Sequence, residues 1–263
     1  MPEGDTVFRA ARKLDRALTG QTLVRTDFRV PQLATSDLAG ATVAGTVSRG
    51  KHLLTRIVRD DEQWTLHTHL KMEGSWHTLR PGQRWSRPAH QARVVLETAT
   101  TTAVGFSLGI VELIDTADEH TAVGHLGPDL LGPDWDEDDA LRRLRADPDR
   151  PVGEALLDQT CLAGIGNMYQ AELCFVSGVH PRTPVGAVGA LPRVVRRAKQ
   201  MLELNSRRAT QTTTGDLREP LWVYRRDKAP CRRCGTPIEV AMVGPTGRER
   251  ASYWCPSCQP LTG

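Results

Sequence analysis

Four cysteines constrain this chain more than anything else in it. Cys231 and Cys234, then Cys255 and Cys258, form two Cys-x2-Cys pairs with 20 residues between them. In a reducing compartment this spacing predicts a four-thiolate zinc site, because two such knuckles bring four sulfurs tetrahedrally around one ion. Gly235 and Pro256 supply the turn formers that tight sulfur-bearing loops need. Two disulfides are the other arrangement the spacing permits, and they belong to an oxidising compartment. The opening Met1-Pro2-Glu3-Gly4-Asp5 is unlike a signal peptide, and no apolar run approaches the roughly 18 residues that cross a bilayer. A cytosolic chain away from membranes is therefore expected. Cys161 and Cys174 read as small buried hydrophobes without chemistry.

The 263 residues leave room for two modest domains. With 39% hydrophobic and 25% charged residues, the composition is that of a folded protein rather than a disordered one. Charge is unevenly spread. From Ala190 onward fourteen Lys/Arg stand against six Asp/Glu, although the whole chain carries only +3. Such an excess is the footprint of a polyanion binder, and a solvated basic surface would carry it too. Only five of the 34 basic residues are lysines, a bias that reports GC-rich coding rather than mechanism.

Periodicity divides the chain further. Val7, Ala11, Leu14 and Leu18 mark an amphipathic first helix, with Asp5 or Thr6 able to cap it and Gly20 to stop it. From Thr22 to about Leu113, short runs rich in Val, Thr and Leu alternate with turn residues, which predicts an all-β unit, a two-sheet sandwich or flattened barrel. Residues 115–149 are acidic, contain Gly127-Pro128-Asp129 and Gly132-Pro133-Asp134, and read as an interdomain connection leading into a helix at 137–145. Further helical patterns cover 152–157, 167–176 and 192–204, and a short linker at 212–215 precedes the cysteines.

Pro2-Glu3 is the most informative dipeptide. Met1 before a small residue is normally removed, which leaves a free secondary amine on Pro2. An α-amino group titrates near 8, so a useful fraction is unprotonated at neutral pH. A secondary amine attacking an aldehyde-level carbon gives an iminium directly, an electron sink suited to elimination, and the adjacent carboxyl can protonate a departing sugar oxygen. Alone, the dipeptide also fits a start with no catalytic meaning.

Three further stretches give it context: Arg49-Gly50-Lys51-His52-Leu53-Leu54, Leu162-Ala163-Gly164-Ile165-Gly166-Asn167-Met168-Tyr169, and the closing Cys231…Cys258 module. Together with Met1-Pro2-Glu3-Gly4-Asp5 they resemble the formamidopyrimidine-DNA glycosylase/endonuclease VIII family, in the family's order and over nearly the whole chain. Met-Pro-Glu-Gly and Tyr253-Trp254-Cys255-Pro256 resemble its endonuclease VIII-like branch, of actinobacterial type. The resemblance implies an α+β fold: an N-terminal β-sandwich-like catalytic domain (1–131) whose first helix carries the N-terminal proline, a helix–two-turn–helix domain (132–213) and a four-cysteine zinc finger (214–263).

It also implies roles. Pro2 would be the nucleophile, Glu3 the proton donor to the opening deoxyribose, and Lys51 an electrostatic catalyst near the sugar phosphate. Gly164, Gly166 and Asn167 would anchor phosphate, since glycines let backbone approach closely and a helix N-terminus favours anions. Arg250, presented by a hairpin turning at Thr246-Gly247, would grip the phosphates flanking the lesion, with Arg248 close enough to be confused with it. His69 would contact phosphate and Met72 would fill the gap left by a flipped base. A core methionine and a satisfied strand histidine are the plainer readings of those two. With four thiolates the zinc is one structural ion, and no catalytic metal is expected.

Two departures bear on substrate. Thr6 stands where many members have glutamate, and the Thr214–Val223 stretch is short where purine-reading members have a longer covering loop. The expectation is thus a bifunctional DNA N-glycosylase and DNA-(apurinic or apyrimidinic site) lyase of base excision repair. It would favour oxidised pyrimidines and hydantoins in duplex and single-stranded DNA, and act as a monomer in the bacterial cytoplasm at the nucleoid. The alternatives are a purine-directed glycosylase for 8-oxoguanine or formamidopyrimidine, and a catalytically silent binder of damaged DNA. Pro2, Glu3 and Lys51 together argue against the silent binder.

Overall fold

The computed structural model describes residues 2–244, 247 and 249–261. It divides into two compact units, residues 1–125 and 126–263.

In the first unit, helix α1 (Gly4–Leu18) buries the predicted stripe Val7, Ala11, Leu14 and Leu18. Its N-cap is Glu3, in extended conformation, and no side chain caps it; the expected caps Asp5 and Thr6 lie inside the first turn, where Asp5 is fully buried. Eight strands follow: β1 (Leu23–Phe28), β2 (Thr42–Arg49), β3 (His52–Arg59), β4 (Glu62–His69), β5 (Ser75–Leu79), β6 (Ala92–Thr98), β7 (Thr102–Phe106) and β8 (Ile110–Asp115). They form two antiparallel four-stranded sheets, ordered β2-β3-β4-β8 and β1-β6-β7-β5. Alternation sends Leu53, Ile57, Leu66 and Val111 from the first sheet, and Leu23, Val94, Leu96 and Ala103 from the second, into one core shared with α1. Of the two β arrangements expected, the sandwich is the one formed.

The acidic stretch read as a connection does not begin at Asp115. Residues 116–123, including helix α2 (Glu119–Val123), belong to the sandwich. Glu119 holds them there: it accepts from Arg56 Nε and Nη2 at 2.7 and 2.8 Å and from Thr65 Oγ1 at 2.6 Å. A bidentate guanidinium–carboxylate pair fixes orientation as well as distance.

The second unit contains α3 (Glu137–Arg145), α4 (Val152–Leu157), α5 (Asn167–Ser177) and α6 (Leu191–Ser206), then a hairpin of β9 (Glu239–Val243) and β10 (Arg250–Trp254). Asp136 caps α3 through its carboxylate, and acidic residues fill its first turn, as the helix dipole favours. Leu130, Leu144, Leu156, Tyr169, Val195 and Leu202 meet in its main core. Helix α5 is buried from Asn167 to Phe175, polar Asn167, Gln170 and Glu172 included, and it ends at Gly178 in left-handed conformation. Ala171 and Phe175 continue into a smaller core with Val223, Ile238, Cys231 and Cys255, so the finger packs directly on α5.

Candidate active site and nucleic-acid-binding elements

The register between α1 and β2 fixes one end of the sandwich. Asp15 Oδ1 accepts from Thr46 N at 3.0 Å, and Gly20 N donates to Val43 O at 2.8 Å. Rising numbers on the helix thus meet falling numbers on the strand, so the two run antiparallel. From Asp15 back to Glu3 is about 18 Å of helix at 1.5 Å per residue. From Thr46 on to Lys51 is about 16 Å of strand at 3.3 Å per residue. Pro2 and Glu3 therefore start the chain at the same end of the unit where the β2–β3 turn presents Lys51. Gly50 makes that turn at φ 57°, a left-handed conformation suited to glycine. Met1 lies outside the described residues.

The β4–β5 connection emerges at this end too, because His52 and His69 face one another across β3 and β4. It is tightly built. Lys71 is left-handed at φ 51°, and its N–H donates to His69 Nδ1 at 2.9 Å. Gly74 N donates to Leu70 O at 2.8 Å, and a Cβ on Gly74 would lie 2.4 Å from that oxygen. A Cβ on Gly109 would lie 2.2 Å from Lys71 Cγ, so the lysine stem occupies the room that glycine leaves. Arg87 Nη1 donates to Glu73 O and Ser75 Oγ at 3.1 and 3.0 Å. Leu70 anchors the loop in the core, while Met72 at its tip is 61% exposed. The core-methionine reading therefore fails. Burial, then Lys71 and Lys51, push the His69 imidazole down to about 4, so it is neutral at pH 7.

A cavity of about 530 Å³ lies at the opposite end of β4. Asp61, Glu62 and Asp115 line it, which makes it unsuited to an anionic ligand.

In the second unit, Gly164 takes φ 115°, open to few residues but glycine, and its N–H donates to Gln159 Oε1 at 3.1 Å. Gly166 is the N-cap of α5. Asn167 does not cap the helix; its amide donates to Ala251 O at 2.6 Å and joins the helix start to β10. Ser252 Oγ donates to Gln170 Oε1 at 3.2 Å beside it. Arg250 is exposed on β10 one residue from this joint, so Asn167 and Arg250 share one locality. Gly247 has φ 80°, as a hairpin turn requires; Thr246 and Arg248 lie outside the described residues.

Sequence reasoning missed Glu172. It is fully buried and only accepts: from Trp222 N, Val223 N and Tyr224 N at 2.8 Å each, and from Thr213 Oγ1. The short stretch at 213–220 closes on itself over this anchor. Thr213 N donates to Pro220 O at 2.8 Å, and Thr214 Oγ1 to Glu219 O at 2.7 Å. Asn205 pairs with both backbone groups of Thr212 at its base. One carboxylate inside an otherwise apolar stretch, Ala171-Glu172-Leu173-Cys174-Phe175, was the available signal.

The four finger sulfurs all lie within 4.8 Å of one another. Cys231–Cys258 and Cys234–Cys255 are 4.0 and 3.4 Å apart, too far for disulfides, and all six cysteines are free. Tetrahedral zinc–thiolate geometry calls for about 3.8 Å between sulfurs, so the set fits a single ion. Hydrogen bonds from the Thr236 side chain and backbone, with Cys255 third, pull the Cys234 thiol down to about 6. Cys161 and Cys174 are buried, and burial raises both thiols, Cys174 to about 12, as inert hydrophobes require.

Comparison with known proteins agrees with this layout. Residues 1–107 match the formamidopyrimidine-DNA glycosylase N-terminal domain, and residues 126–214 match the formamidopyrimidine-DNA glycosylase H2TH domain. The chain belongs to this family. Among curated relatives, it is 56% identical over 262 residues to "Probable endonuclease 8 2" of Streptomyces coelicolor, covering 98% of this chain and 94% of the relative. It is 53% identical over 261 residues to "DNA-(apurinic or apyrimidinic site) lyase Nei2" of Mycolicibacterium smegmatis, covering 98% and 99%. These names place it on the family's endonuclease 8 branch, with actinobacterial relatives. Among solved structures, Lactococcus lactis Fpg in complex with abasic-site DNA shares the fold, with TM-score 0.80, 24% identity and coverage of 99% and 100%.

Proposed function

We propose that this family member is a bifunctional DNA glycosylase and AP lyase of base excision repair, working in the bacterial cytoplasm at the nucleoid. The observation that carries the reading is the antiparallel packing of α1 on β2, which brings the Pro2-Glu3 start to the end of the sandwich that bears Lys51. With Met1 removed, the Pro2 amine attacks C1′ of a damaged nucleotide as the bond to the base breaks and the base departs; the amine loses its proton, Glu3 protonates O4′, and the C1′–O4′ bond opens to leave an iminium at C1′. The resulting iminium acidifies the C2′ hydrogen, and loss of that proton expels the 3′ phosphate; a second elimination expels the 5′ phosphate. Lys51 stabilises the charge that develops on the sugar and its phosphate. Gly164, Gly166, Asn167, His69 and Arg250 hold backbone phosphate without reading sequence, and Met72 fills the vacated stack. Zinc on Cys231, Cys234, Cys255 and Cys258 leaves no ligand position open, so its contribution is the folding of the hairpin that carries Arg250.

Oxidised pyrimidines and hydantoins are the substrates proposed. The threonine-closed loop at 213–220 commits backbone groups to itself and the Thr213 hydroxyl to Glu172, and Trp222, Val223 and Tyr224 after it give their N–H groups to the same carboxylate, leaving few donors for a flipped purine. Non-planar bases stack badly and leave the helix at low cost. Borohydride should trap a covalent adduct between the protein and abasic DNA, and a protein proven to retain Met1 should form none. Full trapping with Met1 in place would remove Pro2 from the mechanism. In single-turnover assays 5-hydroxyuracil and guanidinohydantoin should outrun 8-oxoguanine; the reverse order in duplex DNA would make this a purine-directed enzyme.

A further inference from the structure

The outward face of the β2-β3-β4-β8 sheet carries an unusual row of side chains. His67 sits directly across from Glu112, and His52 directly across from His69. His67 Nδ1 lies 2.9 Å from Glu112 Oε2, and His67 Nε2 lies 2.8 Å from His52 Nδ1. The His52 and His67 rings are stacked at 5.0 Å, His69 meets His52 edge-on at 4.9 Å, and His125 stands edge-on at 6.2 Å.

With one proton on each of the three rings, the contacts admit one assignment. A carboxylate only accepts, so His67 Nδ1 carries a proton and donates to Glu112. Neutral His67 then offers its Nε2 lone pair, and His52 Nδ1 must donate to it. The free lone pair of His52 is therefore on Nε2. His69 accepts from Lys71 N–H on Nδ1, so its own proton is on Nε2. The end of the sheet beside the Lys51 turn thus presents one imidazole N–H and one imidazole base, with Lys51 and Lys71 on either side.

We infer that His52 is a proton-uptake site for nucleic-acid binding: it gains a proton when a backbone phosphate settles at the Lys51 turn, and Glu112, acting through His67, holds the added charge. This rests on the DNA-processing reading above. The groups facing His52 come from every neighbouring element: His67 and His69 on β4, Lys71 in the following loop and His125 after α2, with Glu112 on β8 reached only through His67. Burial first, then His69, His67, His125 and Lys71, push His52 down to about 3. A neutral His52 ring, packed among the other imidazoles beside Lys71, is the ground state of the free protein. An anion reverses the balance: a negative charge in contact with the ring favours its protonated form. The incoming proton adds to Nε2, which becomes a donor to the phosphate oxygen. The proton on Nδ1 can shift to His67 Nε2, moving the positive charge next to the Glu112 carboxylate, and no other bond changes. His52 is the residue that meets the phosphate; His67 and Glu112 are positioning residues.

The test uses the full-length zinc-loaded protein and a duplex carrying a reduced abasic site that cannot eliminate. Calorimetric titration at pH 5.5 in buffers of different ionisation enthalpy counts the protons taken up. The wild type should take up most of a proton through His52, and its affinity should rise severalfold between pH 7.5 and pH 5.5 and further by pH 5. His52→Asn keeps a donor to His67 Nε2 but has nothing to protonate. It should lose that uptake and flatten the profile of affinity against pH. Glu112→Gln should shift the rise to lower pH without changing affinity at pH 7.5. Uptake by His52→Asn equal to that of the wild type, or a wild type that binds with no uptake, would overturn the inference and leave the glycosylase reading standing. Failure to bind the duplex at pH 7.5 would sink both.

Discussion

Two polar clusters, one in each unit, are held in opposite ways. In the second unit, polar side chains inside the core are answered by backbone: Glu172 takes three main-chain N–H groups, and Asn205 pairs both groups of Thr212. On the sandwich, they are answered by other side chains: His52 by His67, His67 by Glu112, Glu119 by Arg56. Backbone partners cannot titrate or turn away, so the first kind of arrangement fixes a framework. Side-chain partners can change protonation, so the second kind keeps chemistry adjustable. On the proposed reading, the second unit needs the former to grip phosphate and the reacting end of the sandwich needs the latter.

The comparison can be broken at several points. The largest effect should come from the metal. Cys234→Ser, or chelation of the ion, should unfold the finger and lower affinity for abasic DNA by more than about a hundredfold, because metal binding and folding of such a module are one event. Circular dichroism with a binding titration reads both. Zinc-free protein that binds normally would detach the framework from its metal.

Glu172→Gln comes next. An amide places an N–H₂ among four donors and leaves buried N–H groups unanswered, so denaturant unfolding should show a loss of about 2–4 kcal/mol. A loss below about 1 kcal/mol would erase the contrast between the units. Met72→Ala should leave stability unchanged, since the side chain is exposed, yet slow excision of a damaged base in duplex by about tenfold. An equal rate in duplex would remove Met72 from the reaction.

Glu119→Gln should cost the least, below about 1 kcal/mol, because the Arg56 pair is partly exposed. The hydrogen bond from Arg56, then that from Thr65 against the opposing effect of burial, lowers the Glu119 carboxyl below its usual range. Its contribution is therefore present above the unfolded-state value and is lost as pH falls through the folded one. Denaturation midpoints of wild type and variant should converge below about pH 4. Midpoints that stay apart there would show that the pair contributes through packing.

Local pattern explains what was legible beforehand. The stripe Val7-Ala11-Leu14-Leu18 foretold α1, alternation foretold the strands, and cysteine spacing foretold the cluster, each being a signal within a few neighbouring residues or a fixed chemistry. What stayed hidden depends on register between distant segments. His67 meets Glu112 across 45 positions, and Glu172 meets Val223 across 51. Asn167 looked like a helix-start residue, and only the docking of β10 on α5 gave its amide another partner. The segment after Asp115 looked like a linker because its charges are acidic, and it folded onto the sandwich because Arg56 was waiting for one of them.

The loop bearing Met72 has a further consequence. Lys71 is locked by Gly109 behind it, Gly74 closes on Leu70, and Arg87 clasps Glu73. Ordering a flexible segment of this length on arrival at DNA would cost about 1–2 kcal/mol for each residue. Here that ordering is already done. On the proposed reading, Met72 can press against every base step the enzyme passes without first condensing from disorder, and withdraw as readily from each sound one. Speed of inspection, rather than tightness of grip, is what a stiff tip confers on a protein that must pass over a whole chromosome to find one faulty base.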